Sequence, residues 1–349
     1  GHSFGLLSSS QILEQISPAD VVKVEVMTTP GAKYEAQGTG GVVNIITRKK
    51  MYLKSSGYLN AGVGTKGSHL MGYFNYAIDK RWTLQNSFYS LIGYSAISNT
   101  NNYSGGSDGR SLGQLYSYQG GATCSGERSV LNLNLQYLYQ DMTYKEDKEN
   151  GDKQKTSNNY HYLSASADYS VTFSEKVKMD AQTRLYYLPA RSKMERESYP
   201  DFRSSNDILG QMTQIGWSLN PAENLEIETG LSNNYSAFVG YDDEKLIKFI
   251  NTFGAYFETK YAITPMFSAT GGLRYEYYYL DTKIERKNKY HDLFYNFGLD
   301  YKISATSTLS LLFSRRTDRP TYSSLLSRAN YQGGDVVQMG NEAGILIIF

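Results

Sequence analysis

From about residue 55 onward the chain alternates. In 131–139, Leu131, Leu133, Leu135, Tyr137 and Tyr139 share one face, while Asn132, Asn134 and Gln136 take the other. In 177–187, Val177, Met179, Ala181, Thr183, Leu185 and Tyr187 oppose Lys178, Asp180, Gln182, Arg184 and Tyr186. In 293–303, Leu293, Tyr295, Phe297, Leu299, Tyr301 and Ile303 oppose Asn296, Gly298, Asp300 and Lys302. A period of two marks β-strands whose faces meet different surroundings. The same pattern, with varying clarity, runs near 55–64, 67–78, 82–94, 112–124, 158–173, 207–219, 223–239, 247–262, 266–280 and 307–314. This predicts about 13 strands, most of them 10–16 residues long. Soluble strands average about 5–6 residues, so an ordinary sandwich is a poor fit.

The connections sharpen the reading. Links near 78–82, 124–129, 173–176, 219–223, 262–266 and 303–307 are short. Links near 95–111, 140–157, 188–206, 239–247 and 280–290 read as longer polar loops, and only the first hairpin, near 64–67, breaks the alternation. Short turns on one rim and long loops on the other fit an outer-membrane barrel. Tyr186-Tyr187, Tyr277-Tyr278-Tyr279 and Tyr295 sit near strand ends, as interfacial girdles do. In hydrocarbon every amide needs a partner, and strands achieve that only in a closed barrel.

The first fifty residues differ. Ser8 with Gln11 fits a capping box, Ile12, Leu13 and Ile16 give a short helical face, and Pro18 stops it. Val22, Val24 and Val26 then alternate with Lys23 and Glu25, and a second strand runs from Val42 to Thr47. The expected fold is all-β and transmembrane: an incomplete antiparallel outer-membrane β-barrel (51–349), preceded by a small α+β piece (1–50).

Composition agrees. The 32 Tyr and 32 Gly against 7 Pro suit long strands. With 35 basic against 34 acidic residues there is no surplus charge for nucleic acid. The lone Cys124 forms no internal disulfide and no thiolate-rich zinc site. No run of about 18 apolar residues provides a membrane helix. Gly1, without a leader behind it, reads as a cut start.

Two stretches carry a family resemblance. The first is Pro18-Ala19-Asp20-Val21-Val22-Lys23-Val24-Glu25-Val26, Pro30-Gly31-Ala32-Lys33-Tyr34, then Gly40-Gly41-Val42-Val43-Asn44-Ile45-Ile46-Thr47-Arg48. It resembles the end of the plug domain of TonB-dependent outer-membrane receptors in order and spacing. The second is Ser314-Arg315-Arg316, Arg319-Pro320 and Tyr322, followed by Gly340-Asn341, similar to a barrel strand end of the same receptors. Two departures stand out. Glu35 follows Tyr34 where the family usually has Gly, and the chain ends shortly after Asn341 without the further strands of a plugged transporter, which has about 22. The chain therefore reads as an internal fragment. An odd, short strand set leaves unpaired edges and is expected not to close a stable barrel alone.

The resemblance implies a receptor in the Gram-negative outer membrane that takes up a scarce or large ligand. Its partners would be a TonB-type energy-coupling complex, outer-membrane lipid, and a surface lipoprotein or extracellular ligand. It implies no enzyme and no cofactor. Lys33, Tyr34 and Glu35 become ligand-contact candidates at the plug apex, facing the outer mouth. Glu25, Pro30, Gly31, Gly40, Gly41 and Asn44 carry the plug motif, and Arg315, Arg316, Arg319 and Pro320 the barrel motif. A surface-binding or structural barrel without transport is the alternative.

Other motifs have plain readings. Gly1-His2-Ser3-Phe4-Gly5 fits a nucleophile elbow but has no strand before it. Gly62-Val63-Gly64-Thr65-Lys66-Gly67 fits a phosphate loop but leads into a strand, so a tight hairpin is expected. His2, His69, His161 and His291 lack metal-ligand spacing. The charge-dense 141–155 segment reads as a solvated loop. Inward charges such as Asp180, Arg184, Arg274, Glu276, Asp300 and Lys302 either line a route or brace a plug, and bracing is the favoured reading.

Overall fold

The computed structural model describes residues 21–27, 31–36, 42–47, 55–101, 105–148, 151–197, 201–241, 245–281, 287–304, 306–317, 319, 329–331 and 337–339. Strands β1 (Val21–Met27) and β2 (Val42–Thr47) pair antiparallel, as their alternation predicts. The main sheet follows in chain order. It comprises β3 (Ser56–Gly64), β4 (Gly67–Ala77), β5 (Trp82–Asn101), β6 (Gly105–Ser125), β7 (Ser129–Lys148), β8 (Lys153–Ser174) and β9 (Val177–Arg196). It continues through β10 (Phe202–Ala222), β11 (Leu225–Tyr241), β12 (Lys245–Ala262), β13 (Phe267–Asp281), β14 (Lys287–Lys302) and β15 (Thr308–Ser314). These 13 strands pair only with their sequence neighbours, all antiparallel, and β3 and β15 are the two edges. A small pair, β16 (Ala329–Tyr331) with β17 (Val337–Met339), completes the described strands. The helix expected over 8–16 lies outside the described residues.

The strand count agrees with the alternation, but the strands are longer. β8 has 22 residues, β6 and β10 have 21, and a bilayer crossing takes about 9–11. The long polar loops expected on one rim are mostly strand: β5, β7, β9, β11 and β13 run on to Asn101, Lys148, Arg196, Tyr241 and Asp281 before turning. The charge-dense stretch at 141–155 is likewise largely β7 and β8 rather than loop. Beyond the lipid both faces meet water, so the apolar-polar contrast fades while the backbone ladder continues. The expected hairpin at Thr65-Lys66 is present.

The pairing register separates the faces. Leu133, Leu135, Leu163, Leu185, Leu209, Leu231 and Leu273 project from one face and are exposed. On β7, Leu135 is 61% exposed whereas Leu138, on the opposite face, is 0% exposed. A half-buried polypeptide in water would not present such a belt of leucines, so this face meets lipid. Aromatic residues frame the belt. On β8, Tyr169 and His161 lie eight residues apart on the lipid side, roughly 26 Å along the strand.

The opposite, inward face is mixed. Leu115, Leu138, Tyr162, Tyr186 and Leu188 form one apolar cluster there, and Tyr278 and Leu280 with Ile250 and Tyr290 form another. This corrects part of the expected girdle. Within Tyr186-Tyr187 and Tyr277-Tyr278-Tyr279, the buried Tyr186 and Tyr278 point inward and only their neighbours face lipid, because adjacent residues alternate.

Candidate functional site

Residues 31–36 form a loop laid against the inward face of β10–β14. A turn begins it, with the Tyr34 amide donating to the Gly31 carbonyl at 3.1 Å. Glycine suits position 31 for a spatial reason: a Cβ there would run into the Glu258 carboxylate. That carboxylate accepts the Ala32 amide at 2.6 Å and the Asn296 side-chain amide at 3.1 Å. Gly272 leaves room for the same meeting, since a Cβ on it would clash with Asn296 and approach Glu258 and Ala32.

Each step of the loop has a partner on the wall. Arg274 Nη1 donates to the Ala32 carbonyl at 3.4 Å, and Gln214 Nε2 donates to the Lys33 carbonyl at 3.5 Å. Lys33 Nζ lies 3.6 Å from Glu228, and Asn234 Nδ2 donates to Glu35 Oε1 at 3.2 Å. Arg316 Nη2 donates to the Glu35 carbonyl at 2.7 Å, the Ala36 amide donates to Glu276 at 3.1 Å, and the Thr317 amide donates to the Ala36 carbonyl at 3.1 Å. Ala32 and Ala36 are buried. Glu228 and Glu258 sit near the short-turn ends of their strands and Asn234 and Glu276 near mid-strand, so the loop climbs the wall.

Electrostatics explain the hold. Glu276 is wholly buried and takes Arg274 Nε at 2.6 Å on one oxygen and Arg319 Nη2 at 2.7 Å on the other. Arg319 also lies 3.9 Å from Asp292 and 4.7 Å over the Tyr278 ring, while Arg274 donates to Ser232 at 2.9 Å. Two guanidiniums face two carboxylates, and the network stays neutral where an unpaired charge would be costly. A second pattern lies lower. Glu228 and Glu258 are direct cross-strand partners on one face, an arrangement unfavourable by itself. Lys33 and the Ala32 amide supply the positive side. Burial alone would lower the Lys33 pKa, but Glu228, Tyr256 and other nearby acidic groups outweigh it and hold it above the ordinary lysine value. Burial raises the Tyr34 hydroxyl, with the Lys33 charge opposing, and burial lowers Arg316 against the pull of Glu276.

The structure thus joins the two stretches singled out by resemblance. Lys33, Tyr34 and Glu35 all lie on the loop, with Tyr34 half-buried, and Arg316 and Arg319 reach the loop or its anchor. Arg315 instead donates to the Leu293 carbonyl at 2.8 Å and does not hold the loop. Glu25 pairs with Lys23 at 2.7 Å and lies opposite Asn44 in the β1–β2 register. Pro30, Gly40, Gly41 and Pro320 fall outside the described residues. Of the inward charges, Arg274 and Glu276 brace the loop, Asp180 pairs with Lys178 at 2.6 Å, and Asp300 accepts Ser310 at 2.6 Å. Glu228, Glu258, Asn234, Gln214 and Asn296 were not singled out from sequence. The available signal was the opposed Glu228–Glu258 pair, visible once the strand register is known. Among the described residues no three His, Cys, Asp or Glu side chains gather to hold a metal ion.

A lipid-facing belt outside and a braced loop inside define the class: the wall of an outer-membrane β-barrel. Residues 219–343 match the model of the outer membrane protein beta-barrel family. No curated protein sequence matches the chain. Among solved structures, it resembles the ferric yersiniabactin uptake receptor FyuA from Yersinia pestis, with 13% identity over 86% of this chain and 54% of that one, at a TM-score of 0.67. It also resembles the ferric-catecholate import receptor Fiu from E. coli K12 in its closed form, with 11% identity over 86% and 56%, at 0.64. The FrpB iron transporter from Neisseria meningitidis is similar too, with 14% identity over 87% and 54%, at 0.63. The chain therefore has the fold of these receptors and spans about half their length.

Proposed function

We propose that this chain is part of an outer-membrane receptor that imports a scarce or large ligand by TonB-dependent active transport. In this reading, residues 1–50 are the C-terminal part of a plug and 51–349 are barrel. The observation that carries it is the loop at 31–36, fastened to the inner wall by Glu258, Glu276, Arg316 and Thr317. A passive pore gains nothing from holding backbone against its lumen wall with buried charges. A transporter gated by an external pull needs such a contact, firm at rest and breakable.

Iron chelates of the sort carried by FyuA, Fiu and FrpB are the first ligands to test. Lys33, Tyr34 and Glu35 are the proposed contacts on the loop, and a TonB-type complex is the proposed energy source. A surface-binding barrel without transport makes the opposite prediction about movement. The test uses cysteines at Ala36 and Thr317, with Cys124→Ser, in the full receptor. Oxidation would tether the loop and stop uptake of a labelled ferric chelate by whole cells, and reduction would restore it. Unchanged uptake with the tether formed would overturn the gated reading, as would uptake in cells lacking the coupling complex.

A further inference from the structure

Two sectors of the inward face differ at matching heights above the short turns. On β5–β8 direct cross-strand pairing joins the row Thr83–Thr123–Asn132–Asp168, and the row Gln85–Gly121–Asn134–Ser166 lies above it. On β11–β14 the corresponding rows are Glu226–Lys260–Thr270–Gly298 and Glu228–Glu258–Gly272–Asn296. The first pair of rows carries one charge, Asp168, and the second carries four, Glu226, Lys260, Glu228 and Glu258. The loop at 31–36 keeps to the charged side. Among the described residues its hydrogen-bonded partners fall on β10–β13 and on Arg316 and Thr317.

The uncharged groups of β5–β8 pair with one another. Gln85 Nε2 donates to the Thr123 hydroxyl at 3.4 Å, and that hydroxyl donates to Asn132 Oδ1 at 2.9 Å. Asn134 lies over Gly121, where a Cβ would meet its side-chain oxygen at 2.7 Å. Each carboxamide or hydroxyl here both donates and accepts. A wall that passes a ligand along must bind well enough to admit it and weakly enough, at several successive sites, to release it. Interchangeable amides and hydroxyls meet that need, because a ligand can trade one hydrogen bond for the next. The charged sector does not. Once the loop lets go, Glu228 and Glu258 lose Lys33 and stand opposed, repelling an anionic ligand and trapping a cationic one.

We propose that, when the loop yields, the ligand crosses along the inward face of β5–β8, and that this face suits a ligand of little net charge whose surface is rich in amide, hydroxamate or hydroxyl groups. This route rests on the importing function proposed for the chain. The charges of β11–β14 brace the loop, and the uncharged sector carries the traffic.

Whole cells expressing the full receptor test this with two labelled probes, an uncharged ferric trihydroxamate and an anionic ferric catecholate. Ser87→Trp and Ser166→Trp place bulk on the inward face of β5 and β8, and Ser218→Trp and Ser268→Trp place it on that of β10 and β13. The first two variants should keep surface binding of the trihydroxamate and lose most of its uptake, whereas the second two should keep both. Should a tryptophan variant fail to fold, Ser87→Cys and Ser166→Cys (each with Cys124→Ser) carry the test. Both should react with a membrane-impermeant maleimide several-fold faster during uptake than in cells treated with a proton uncoupler. Uptake blocked from β10 and β13 but not from β5 and β8 would overturn the route, as would labelling rates that ignore uptake. Import of the catecholate alone would overturn the ligand class. A wild type that binds the probes and imports neither would instead sink the importing function, and the route with it.

Discussion

Like charges face each other on both sides of this wall, and the two sides resolve the conflict differently. On the inner face Glu228 opposes Glu258, and the loop at 31–36 answers with Lys33 and the Ala32 amide. On the outer face Arg110, Lys145 and Lys155 stand in a row, with Glu195 beside Lys155 and the Asp108–Asp147 pair two residues beyond Arg110 and Lys145. Within a sheet, an opposed pair of like charges is a cost that some other group must offset. Inside, that group belongs to the same chain. Outside, the offsetting acids belong to the sheet itself, at neighbouring positions on the same strands.

The strongest test of the inner half removes its buried centre. Glu276→Leu would leave Arg274 and Arg319 buried without their shared carboxylate, at a cost of about 3–5 kcal/mol. Denaturant unfolding of the full receptor in detergent should register it, and Arg319→Met in the same background should recover part of the loss. An unchanged midpoint would mean the network does not hold the loop. Next in size, Gly272→Val should push side-chain bulk into Asn296 and Glu258 and cost about 1–3 kcal/mol. A spin label at Tyr34→Cys (with Cys124→Ser) should then gain mobility while the sheet remains folded.

The outer half predicts a gain where the inner half predicts losses. In the full receptor in lipid-free detergent, Lys145→Glu should raise stability by about 0.2–1 kcal/mol, since it turns a like-charge row into an alternating one. A stability loss would show that the row is not strained. The smallest effect concerns pH. Lys33 holds its proton above the ordinary value of 10.5, so its contact is complete below that value and is lost as pH rises past the raised one. The label at position 34 should loosen only in that alkaline range. Glu228→Gln removes the main raising influence, leaves burial dominant, and should move the release to lower pH.

How much of this could be read from the chain depends on which solvent each face meets. Where lipid lies on one side, as in 131–139, alternation announces the strand and its facing. Above the lipid, in Asp141-Met142-Thr143-Tyr144-Lys145-Glu146-Asp147-Lys148, both sides are wet and nothing in the pattern distinguishes strand from loop. The loop at 31–36 and the arginines at 316 and 319 were legible through family resemblance. Their partners Glu258, Asn234 and Gln214 were not, because one inward polar residue looks like another until the register places it beside the loop.

The bond from Arg316 to the Glu35 carbonyl spans 281 positions of sequence. A ribosome finishes Glu35 long before it reaches the arginine, and Glu276 and Thr317 are likewise late. The earliest-made of these parts therefore gains its full set of anchors only once the distal strands are in place. Any helper that escorts the unfinished polypeptide has a concrete task in shielding that stretch until its anchors exist.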